Sequence, residues 1–400
     1  LPREIVWNRV LDMNDRALRN IVIGLGKESG MVRESRFDIT ASSEIMAILG
    51  LSRDMSDLKK RLSNIIIAET NDGVPLRAGG LNASGALAIL LKDAIMPNLV
   101  QTLEGNPALI HTGPFANIAH GTNSVIATDI ARRYADMVVI EAGFGSDLGA
   151  EKFFNLVSRS EGMVPPDVVV IVATIRALKF HGGVKLKSLT DPNVAAVEKG
   201  FANLKKHIEN MRSFNRPVVV ALNRFGSDTT QEIEMIKDLV KEAGSQCFEA
   251  NVWSQGGNGG IDLAKTVYEL SQQDHGEVNY TYSFKDEPVE KIRKIAKNIY
   301  GAKDIHVPRK VENKIEQRKK WGISEVPVCM AKTQYSFSDN PDLKGSPQNF
   351  ILEIADIKYA AGAGFMVVYT GEIMTMPGLP AKPAAALMDI DENGKITGLF

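Results

Sequence analysis

The sequence predicts an α/β protein whose core is a parallel β-sheet. Helix-patterned stretches alternate with continuous β-branched runs, and strands that are buried on both faces of a parallel sheet have such runs. This alternation indicates βαβ crossovers. The predicted strands are "MVVIEAG" (137–143), "DVVVIVATI" (167–175) and "PVVVALNRF" (217–225), and the clearest predicted helices are 194–214 and 229–244.

Helix boundaries can be predicted from the residues at each end. Thr229 or Asp228 can cap the helix at 229–244, and Gly244 can end it. Before the sheet, residues 1–130 are predicted to be mostly helical with short strands. Outside the central part we expect a helix pair at 43–67 joined near Gly50–Ser52, helices at 285–300 and 312–322, and strands within 349–371.

These elements suggest three domains: a helical subdomain completing a nucleotide domain (1–130), a parallel α/β core (131–275) and a mixed α+β domain (276–400).

Composition excludes several classes of protein. The 47 basic and 48 acidic residues nearly cancel, so no bulk charge would attract nucleic acid or an anionic membrane. No apolar run approaches the ~18–20 residues of a membrane span. Cys247 and Cys329 are far apart and form no CxxC pattern, which fits a reducing cytoplasm.

Polar and glycine-rich segments follow the predicted strands. In a parallel sheet the carboxyl ends of the strands form the ligand-binding edge. We call this edge the strand-end rim; its four predicted segments are 141–147, 174–179, 223–228 and 251–260. Glycine amides in the last segment can approach an anion. The alternative interpretation is that these segments are only tight βα turns.

Two aromatic residues follow neighbouring predicted strands at this rim. Phe225 and Trp253 could hold a flat heterocycle between their rings, or both could belong to the core. Asn223 offers a donor and an acceptor for a purine edge. Arg176 and Lys179 form a basic segment that suits a phosphorylated or carboxylated ligand.

The segment 111–121 brings His111, Asn117 and His120 together, but no carboxylate or cysteine joins them at metal-ligand spacing. We therefore expect no metal site there. A P-loop is also absent, because Gly26-Lys27 and Gly394-Lys395 are not followed by Ser or Thr. The strand and loop at 138–154 therefore resemble one wall of a nucleotide site without its phosphate cradle.

Several segments together resemble the formate–tetrahydrofolate ligase family. They are "QTLEGNPALIHTGPFANIAHG" (101–121), "EAGFGSDLGAEKFF" (141–154), "VATIRALKFHGG" (172–183), "PVCMAKTQYSFSD" (327–339) and "GEIMTMPGLP" (371–380). The resemblance extends over the whole chain. It implies a P-loop-NTPase-like core that is incomplete without its P-loop unit. It also implies an enzyme that joins formate to the N10 of tetrahydrofolate, with ATP split and formyl phosphate as the intermediate.

The resemblance also implies roles for particular residues. Folate binding is expected at Phe225, Trp253 and Asp228. Nucleotide or phosphate binding is expected at Gly143, Phe144, Gly145, Asp147, Leu148, Thr174, Arg176, Lys179, Asn223 and Ser254. Further candidates are His111, Asn117, His120 and Glu141. The substrates would be ATP and tetrahydrofolate, with Mg²⁺ brought by ATP and a monovalent cation such as K⁺ often needed in the family.

Two departures from the family pattern stand out. Gly226-Ser227 replaces the usual Pro-Thr after Phe225, which should loosen that loop because φ is no longer fixed. The family's additional first quarter, with its P-loop, is not present in this sequence. We therefore expect the large subunit of a split ligase in the cytoplasm. A separate small P-loop chain would be its partner, and this chain would also self-associate.

Two alternatives stay open at this point. The chain could be a catalytically inactive folate-binding or regulatory homologue. "GFGSDLG" (143–149) could instead be a dinucleotide fingerprint, with Arg176 serving the 2′-phosphate of NADP in an oxidoreductase.

Overall fold

The computed structural model describes residues 2–12, 15–371, 373 and 381–399. Most of the segment "GEIMTMPGLP" and the final Phe400 therefore lie outside the described residues. The described part is a mixed α/β structure with eleven α-helices and several small sheets. Within it, no helix is both long and apolar enough to cross a membrane.

Residues 2–134 contain four helices and several short strands. The strands are β1 (Pro2–Ile5), β2 (Arg9–Val10), β3 (Ile21–Ile23), β4 (Arg33–Ser35), β5 (Phe37–Asp38), β6 (Ile66–Thr70), β7 (Pro75–Arg77), β8 (Asn98–Gln101) and β9 (Pro107–Ile110). The helices are α1 (Glu44–Leu51), α2 (Met55–Asn64), α3 (Ser84–Leu90) and α4 (Val125–Tyr134). Ser52 separates α1 from α2 as predicted.

Residues 44–134 combine the four helices with strands β6 to β9. Residues 2–43 contain no α-helix among their described positions. There the chain forms short paired strands and 3₁₀ turns. Glycines with positive φ at Gly24, Gly26 and Gly30 interrupt this region. Because such a conformation ends helices, these glycines form the connection between β3 and β4, which pair in an antiparallel manner.

The central part contains the predicted parallel sheet. Its strands are β10 (Val169–Ala173), β11 (Val218–Asn223) and β12 (Gln246–Ala250). Its helices are α5 (Ile175–His181), α6 (Val194–Ser213), α7 (Thr230–Glu242), α8 (Val252–Gln255) and α9 (Ile261–Ser271). The strand order is β10-β11-β12 with β11 in the middle, and both ladders are parallel.

The prediction of a strand at 137–143 is wrong for the described structure. Only Ala142 is paired there, in an isolated bridge to Thr122. Val139 is 87% exposed, because no strand of the described residues lies alongside it. Strand β10 has β11 as its single partner, and its Val170 and Val172 are also exposed. This side of the sheet is therefore open and apolar.

The last part is mixed α+β, as predicted. Its helices are α10 (Pro288–Ile295) and α11 (Arg309–Lys319). Its strands are β13 (Asp304–His306), β14 (Val328–Ala331), β15 (Ile351–Glu353), β16 (Asp356–Ala360), β17 (Phe365–Tyr369), β18 (Asp389–Ile390) and β19 (Ile396–Thr397). The β14-β17-β16 sheet is mixed, with β14 parallel and β16 antiparallel to β17.

The two largest apolar clusters each join residues from different parts of the chain. One combines the central sheet and α6 with residues such as Ile299 and Met330. The other combines α1 and α2 with Cys329 and Phe365. Packing is therefore continuous across the predicted boundaries near residues 130 and 275, and the three-domain division stays a prediction.

Candidate functional site

The parallel register brings three of the four predicted segments to one edge. Ala173 pairs with Leu222, and Asn223 pairs with Ala250, so the strands end side by side. The segments after β10, β11 and β12 consequently share the strand-end rim. The fourth segment, 141–147, is not part of this sheet and is held through Gly143, whose N–H donates to the carbonyl of Gly121 at 2.9 Å.

The loop after β11 is a closed turn built by Asp228. The N–H of Phe225 donates to Oδ2 of Asp228 at 2.8 Å, and the N–H of Asp228 donates to the carbonyl of Phe225 at 3.0 Å. The other oxygen of Asp228 is buried and has no partner among the described residues. Thr229, not Asp228, caps α7 through a capping box with Glu232. The turn presents Phe225 half-buried at the rim.

Arg176 lies against this turn from the neighbouring strand end. Its guanidinium carbon is 4.4 Å from the centroid of the Phe225 ring. Its Nη2 is 3.4 Å from Oγ of Ser227. Thr174, the N-cap of α5, uses its hydroxyl oxygen to accept from the N–H of Ala177. Of these two predicted phosphate ligands, Arg176 keeps donors available, whereas Thr174 already caps a helix.

The segment after β12 holds Trp253 in solvent. The Trp253 side chain is 93% exposed, which excludes the core interpretation for it. Asn251 closes the loop, since its N–H donates to the carbonyl of Gly259 at 3.0 Å and its Oδ1 accepts from Ser254 at 2.8 Å. Ser254 therefore supports the loop in this structure. Asn223, at the end of β11, is half-buried.

A residue that the sequence analysis missed supports the glycine-rich loop. Glu104, in the turn between β8 and β9, accepts from the N–H of Gly257 at 2.6 Å. A Cβ on Gly256 or Gly257 would lie 2.6 and 2.8 Å from the Glu104 carboxylate, so a side chain at either position would displace that carboxylate. The partners are more than a hundred residues apart, and no local sequence pattern signals such a contact.

Lys179, which the sequence placed on the phosphate rim, is buried instead. Its ammonium pairs with Oε1 of Glu232 at 2.7 Å, and both side chains are fully buried. It also donates to the carbonyls of Asp191 (2.9 Å) and Leu189 (3.3 Å). Position 179 is one turn of helix beyond Arg176, and there α5 faces α6 and α7 rather than the rim. Lys179 thus contacts no open surface.

The loop Gly143–Leu148, whose residues are expected to bind nucleotide or phosphate, is fixed in part by contacts within the protein. Leu148 is fully buried, and Asp147 is buried in an ion pair with Lys332 at 3.0 Å. Burial lowers the pKa of Lys332, an effect that Asp147 opposes. Ser146 is hydrogen-bonded to His207 at 2.6 Å. These contacts join residues distant in sequence and fix the second half of the loop.

The first half of that loop is open. Phe144 is 53% exposed and has a φ of +59°, an uncommon conformation for a residue with a side chain. Glu141 is exposed, while Gly143 and Gly145 are half-buried. The side chains of this loop that a ligand can reach directly are therefore those of Glu141 and Phe144.

The two histidines of segment 111–121 have different surroundings. His111 is buried and bonded on both ring nitrogens, to Ser124 at 2.6 Å and to the carbonyl of Ala94 at 2.7 Å. His120 is fully buried, and neither ring nitrogen finds a partner in the described part of the chain. Burial lowers the pKa of His120 to about 3, with Lys152 and Arg61 acting in the same direction. Asn117 Oδ1 is likewise buried and unpaired there.

No group of three or more His, Cys, Asp or Glu side chains in the described ranges has the arrangement of a metal site.

A cavity of about 360 Å³ opens beside the glycine-rich loop, on the outer side of β12. Its size is at the lower end for small-molecule sites. Three of its four charged side chains form ion pairs, since Glu249 contacts Arg224 at 3.1 Å and Lys237 at 2.7 Å. Its lining comprises Arg224, Lys237, Cys247, Phe248, Glu249, Asn251, Gln255, Asn258, Gly259, Ile261 and Asp262.

Comparison with known proteins identifies the family. The family model "Formate--tetrahydrofolate ligase" matches residues 1–400. The chain belongs to the formate–tetrahydrofolate ligase family. A formate–tetrahydrofolate ligase from Bacillus licheniformis is 52% identical over 399 residues, which cover 100% of this chain and 71% of that relative. Part of the relative thus has no counterpart within residues 1–400.

Membership of this family decides which substrates are considered for the strand-end rim. Formate–tetrahydrofolate ligases are ATP-dependent, so ATP and tetrahydrofolate are the substrates to be placed on this structure. This family assignment leaves no support for an NADP-dependent oxidoreductase.

Proposed function

We propose that this chain binds tetrahydrofolate and one side of ATP in the synthesis of 10-formyltetrahydrofolate from formate. The observation that carries the proposal is the pair of aromatic residues at the rim. β11 and β12 are hydrogen-bonded neighbours, and Phe225 and Trp253 follow their carboxyl ends. An exposed tryptophan is costly unless it meets a ligand or partner, and an aromatic pair suits a flat pterin ring.

The phosphate chemistry would use positive charge and amide donors on the same rim. Formyl phosphate forms when a formate oxygen attacks the γ-phosphorus of ATP and ADP leaves. The N10 amine then attacks the formyl carbon, phosphate leaves and the amine loses its proton. Both steps move negative charge onto phosphate oxygens, which fixed donors stabilise. Arg176 and the backbone amide of Gly145 are the groups of this chain that we assign to that task, because the N–H of Gly143 already donates to the carbonyl of Gly121. Asn223 is our candidate for the purine edge.

Several of the residues predicted from the sequence receive a supporting role in this proposal. Asp228 builds the turn that carries Phe225, and Ser254 closes the loop that carries Trp253. Lys179, Asp147, Leu148 and Thr174 hold the scaffold.

We further propose that a P-loop outside residues 1–400 completes a P-loop-NTPase-like core. The open side of the sheet supports this, because Val139, Val170 and Val172 expose apolar surface that a further strand or helix would cover. The full-length match to one continuous relative gives no support to a separate small subunit. The native mass measurement described below tests whether the P-loop is covalently joined to this chain or separate. The same measurement tests whether this chain self-associates.

Mg²⁺ would accompany ATP through its phosphate oxygens, since hard cations prefer such ligands. Replacing K⁺ by Na⁺ in the ligase assay tests whether a monovalent cation contributes.

The test is a ligase assay with formate, MgATP and tetrahydrofolate. Residues 1–400 would be assayed alone and with the part of the B. licheniformis relative that has no counterpart here. We expect 10-formyltetrahydrofolate only in the second case. Native mass measurement of the protein from its own cells would show one long chain or two chains. Folate binding without turnover in every combination would favour the inactive folate-binding homologue instead.

Trp253→Ala tests the aromatic pair directly. We expect the KM for tetrahydrofolate to rise about five-fold or more, since an aromatic stacking contact is worth about 1 kcal/mol beyond its buried area. The KM for ATP should change little. Trp7→Ala is a matched control remote in sequence from the rim. Equal increases in both KM values for Trp253→Ala would refute the assignment.

A further inference from the structure

Arg176 has an unusual combination of contacts. Its guanidinium lies on one face of Phe225, 4.4 Å from the ring centroid, and its Nη2 is 3.4 Å from the hydroxyl of Ser227. Its Nε is buried and finds no hydrogen-bond partner in the described ranges of the chain. A buried N–H donor without a partner costs about 1–3 kcal/mol. The side chain therefore retains a donor that a ligand can satisfy.

The geometry separates two uses of the same group. A guanidinium is planar, so it stacks through its face while its N–H groups point outward in its plane. The guanidinium carbon lies over the Phe225 ring and Nη2 is near Ser227, whereas Nε has no partner within the described part of the chain. An anion in that plane can bind without disturbing the stack. A heterocycle, in contrast, can reach only the opposite face of Phe225.

We propose that Arg176 couples phosphate binding at the strand-end rim to heterocycle binding at Phe225. This inference rests on the proposed function and adds a positioning residue to it. A phosphate group bound to the edge of the guanidinium fixes its plane, and the fixed plane holds the Phe225 ring in place. The heterocycle then loses less freedom on binding.

Gly226 strengthens the argument. It follows Phe225, and no atom would lie within 4 Å of a Cβ at this position. The turn therefore has little packing on that side. Ser227, the next residue, meets Arg176. The orientation of Phe225 thus depends on Arg176 and on the Asp228 hydrogen bond.

The coupling is reciprocal by thermodynamic necessity and is expected to be about five-fold or more, a typical lower value for linked sites. Isothermal titration of residues 1–400 with tetrahydrofolate would be made with and without inorganic phosphate, at constant ionic strength. Phosphate should lower the Kd for tetrahydrofolate about five-fold in the unmodified protein. ADP in place of phosphate shows whether a nucleotide supplies the same group.

Arg176→Lys keeps the charge but removes the planar edge, so we expect the ratio of the two Kd values to fall to about one. Arg176→Gln keeps a planar end group without the charge and should have the same effect, which covers the case in which one variant fails to fold. Arg293→Lys, on α10 and paired with Glu290 at 2.6 Å, is the control and should retain the coupling.

Unchanged coupling in a folded Arg176 variant, or no coupling in the unmodified protein, would overturn the inference. The ligase assay reports separately on the proposed function. Turnover without coupling would reject the role of Arg176 alone, and coupling without turnover would reject the ligase proposal alone.

Discussion

Replacing Lys179 by methionine would leave the carboxylate of Glu232 buried without its cation. Both side chains are fully buried, and their charged atoms are 2.7 Å apart. Glu232 also accepts from the N–H groups of Asn193 (2.8 Å) and Thr229 (3.0 Å). The pair therefore joins α5 to the start of α7, immediately after the turn that carries Phe225.

The magnitude follows from the burial of both charges. Breaking a buried ion pair by removing one partner costs about 3–5 kcal/mol, because the remaining charge is uncompensated. We expect Lys179→Met to lower the free energy of unfolding in urea by that amount. The double variant Lys179→Met/Glu232→Gln removes the stranded charge and should recover part of the loss. Lys237→Met breaks ion pairs of a partly exposed lysine on α7, the helix that also carries Glu232. It should lower the free energy of unfolding by about 1 kcal/mol or less.

Catalytic measurements distinguish this role from the one predicted from the sequence. If Lys179 positions the start of α7, the KM for tetrahydrofolate should rise with the loss of stability, and the double variant should partly restore both. If Lys179 binds phosphate, the KM for ATP should rise while the free energy of unfolding stays unchanged. A Lys179→Met protein of unaltered stability that binds ATP poorly would refute the structural reasoning.

Two further predictions concern the turn and a buried carboxyl group. Gly226→Pro introduces the residue usual in the family, at a position whose φ is not positive. We therefore expect the free energy of unfolding in urea to rise by about 0.4–1 kcal/mol and the KM for tetrahydrofolate to fall. A destabilised variant would show that the turn needs glycine. Burial raises the pKa of Glu151 from 4.5 to about 7. The folded state therefore holds this proton more tightly, so stability is full below about pH 4.5 and falls by roughly 3 kcal/mol as pH rises through 7. Glu151→Gln should reduce that loss between pH 5 and 8, and an unchanged pH profile would contradict the assignment.

Local patterns predicted the parts of the fold that local physics determines. Thr229 caps α7 because its hydroxyl can reach the N–H three residues later, and Gly244 follows the helix with a φ of +74°. The continuous β-branched run at 218–223 became the central strand because both of its faces are covered. The positions of Phe225 and Trp253 after neighbouring strands were also predicted, whereas their role in binding came from the family resemblance and stays a prediction.

Contacts between distant segments could not be predicted in this way. Lys179 meets Glu232 fifty-three positions later, and Asp147 meets Lys332 from the other end of the chain. A lysine or an aspartate near a strand end has the same sequence signal whether it faces a ligand or a buried partner. What decides between them is the three-dimensional neighbour, since the low dielectric of the interior makes an unpaired charge very costly.

The failed strand prediction at 137–143 has a different cause. The sequence of this segment has the composition of a doubly buried strand, yet only Ala142 is paired, in an isolated bridge, and Val139 is 87% exposed. The residues of this segment favour burial, whereas the described structure leaves them exposed. Local preference and tertiary context therefore conflict here. The same conflict occurs at Val170 and Val172 of β10, whose β-branched side chains are exposed. Both conflicts disappear if one additional layer of structure covers this apolar side. Hydrogen exchange at the backbone amides of Val139 and Val172 tests this. If the amides become protected only in the assembled ligase, the additional layer is the phosphate cradle. If they are protected in residues 1–400 alone, these valines make contacts within this chain or between its copies.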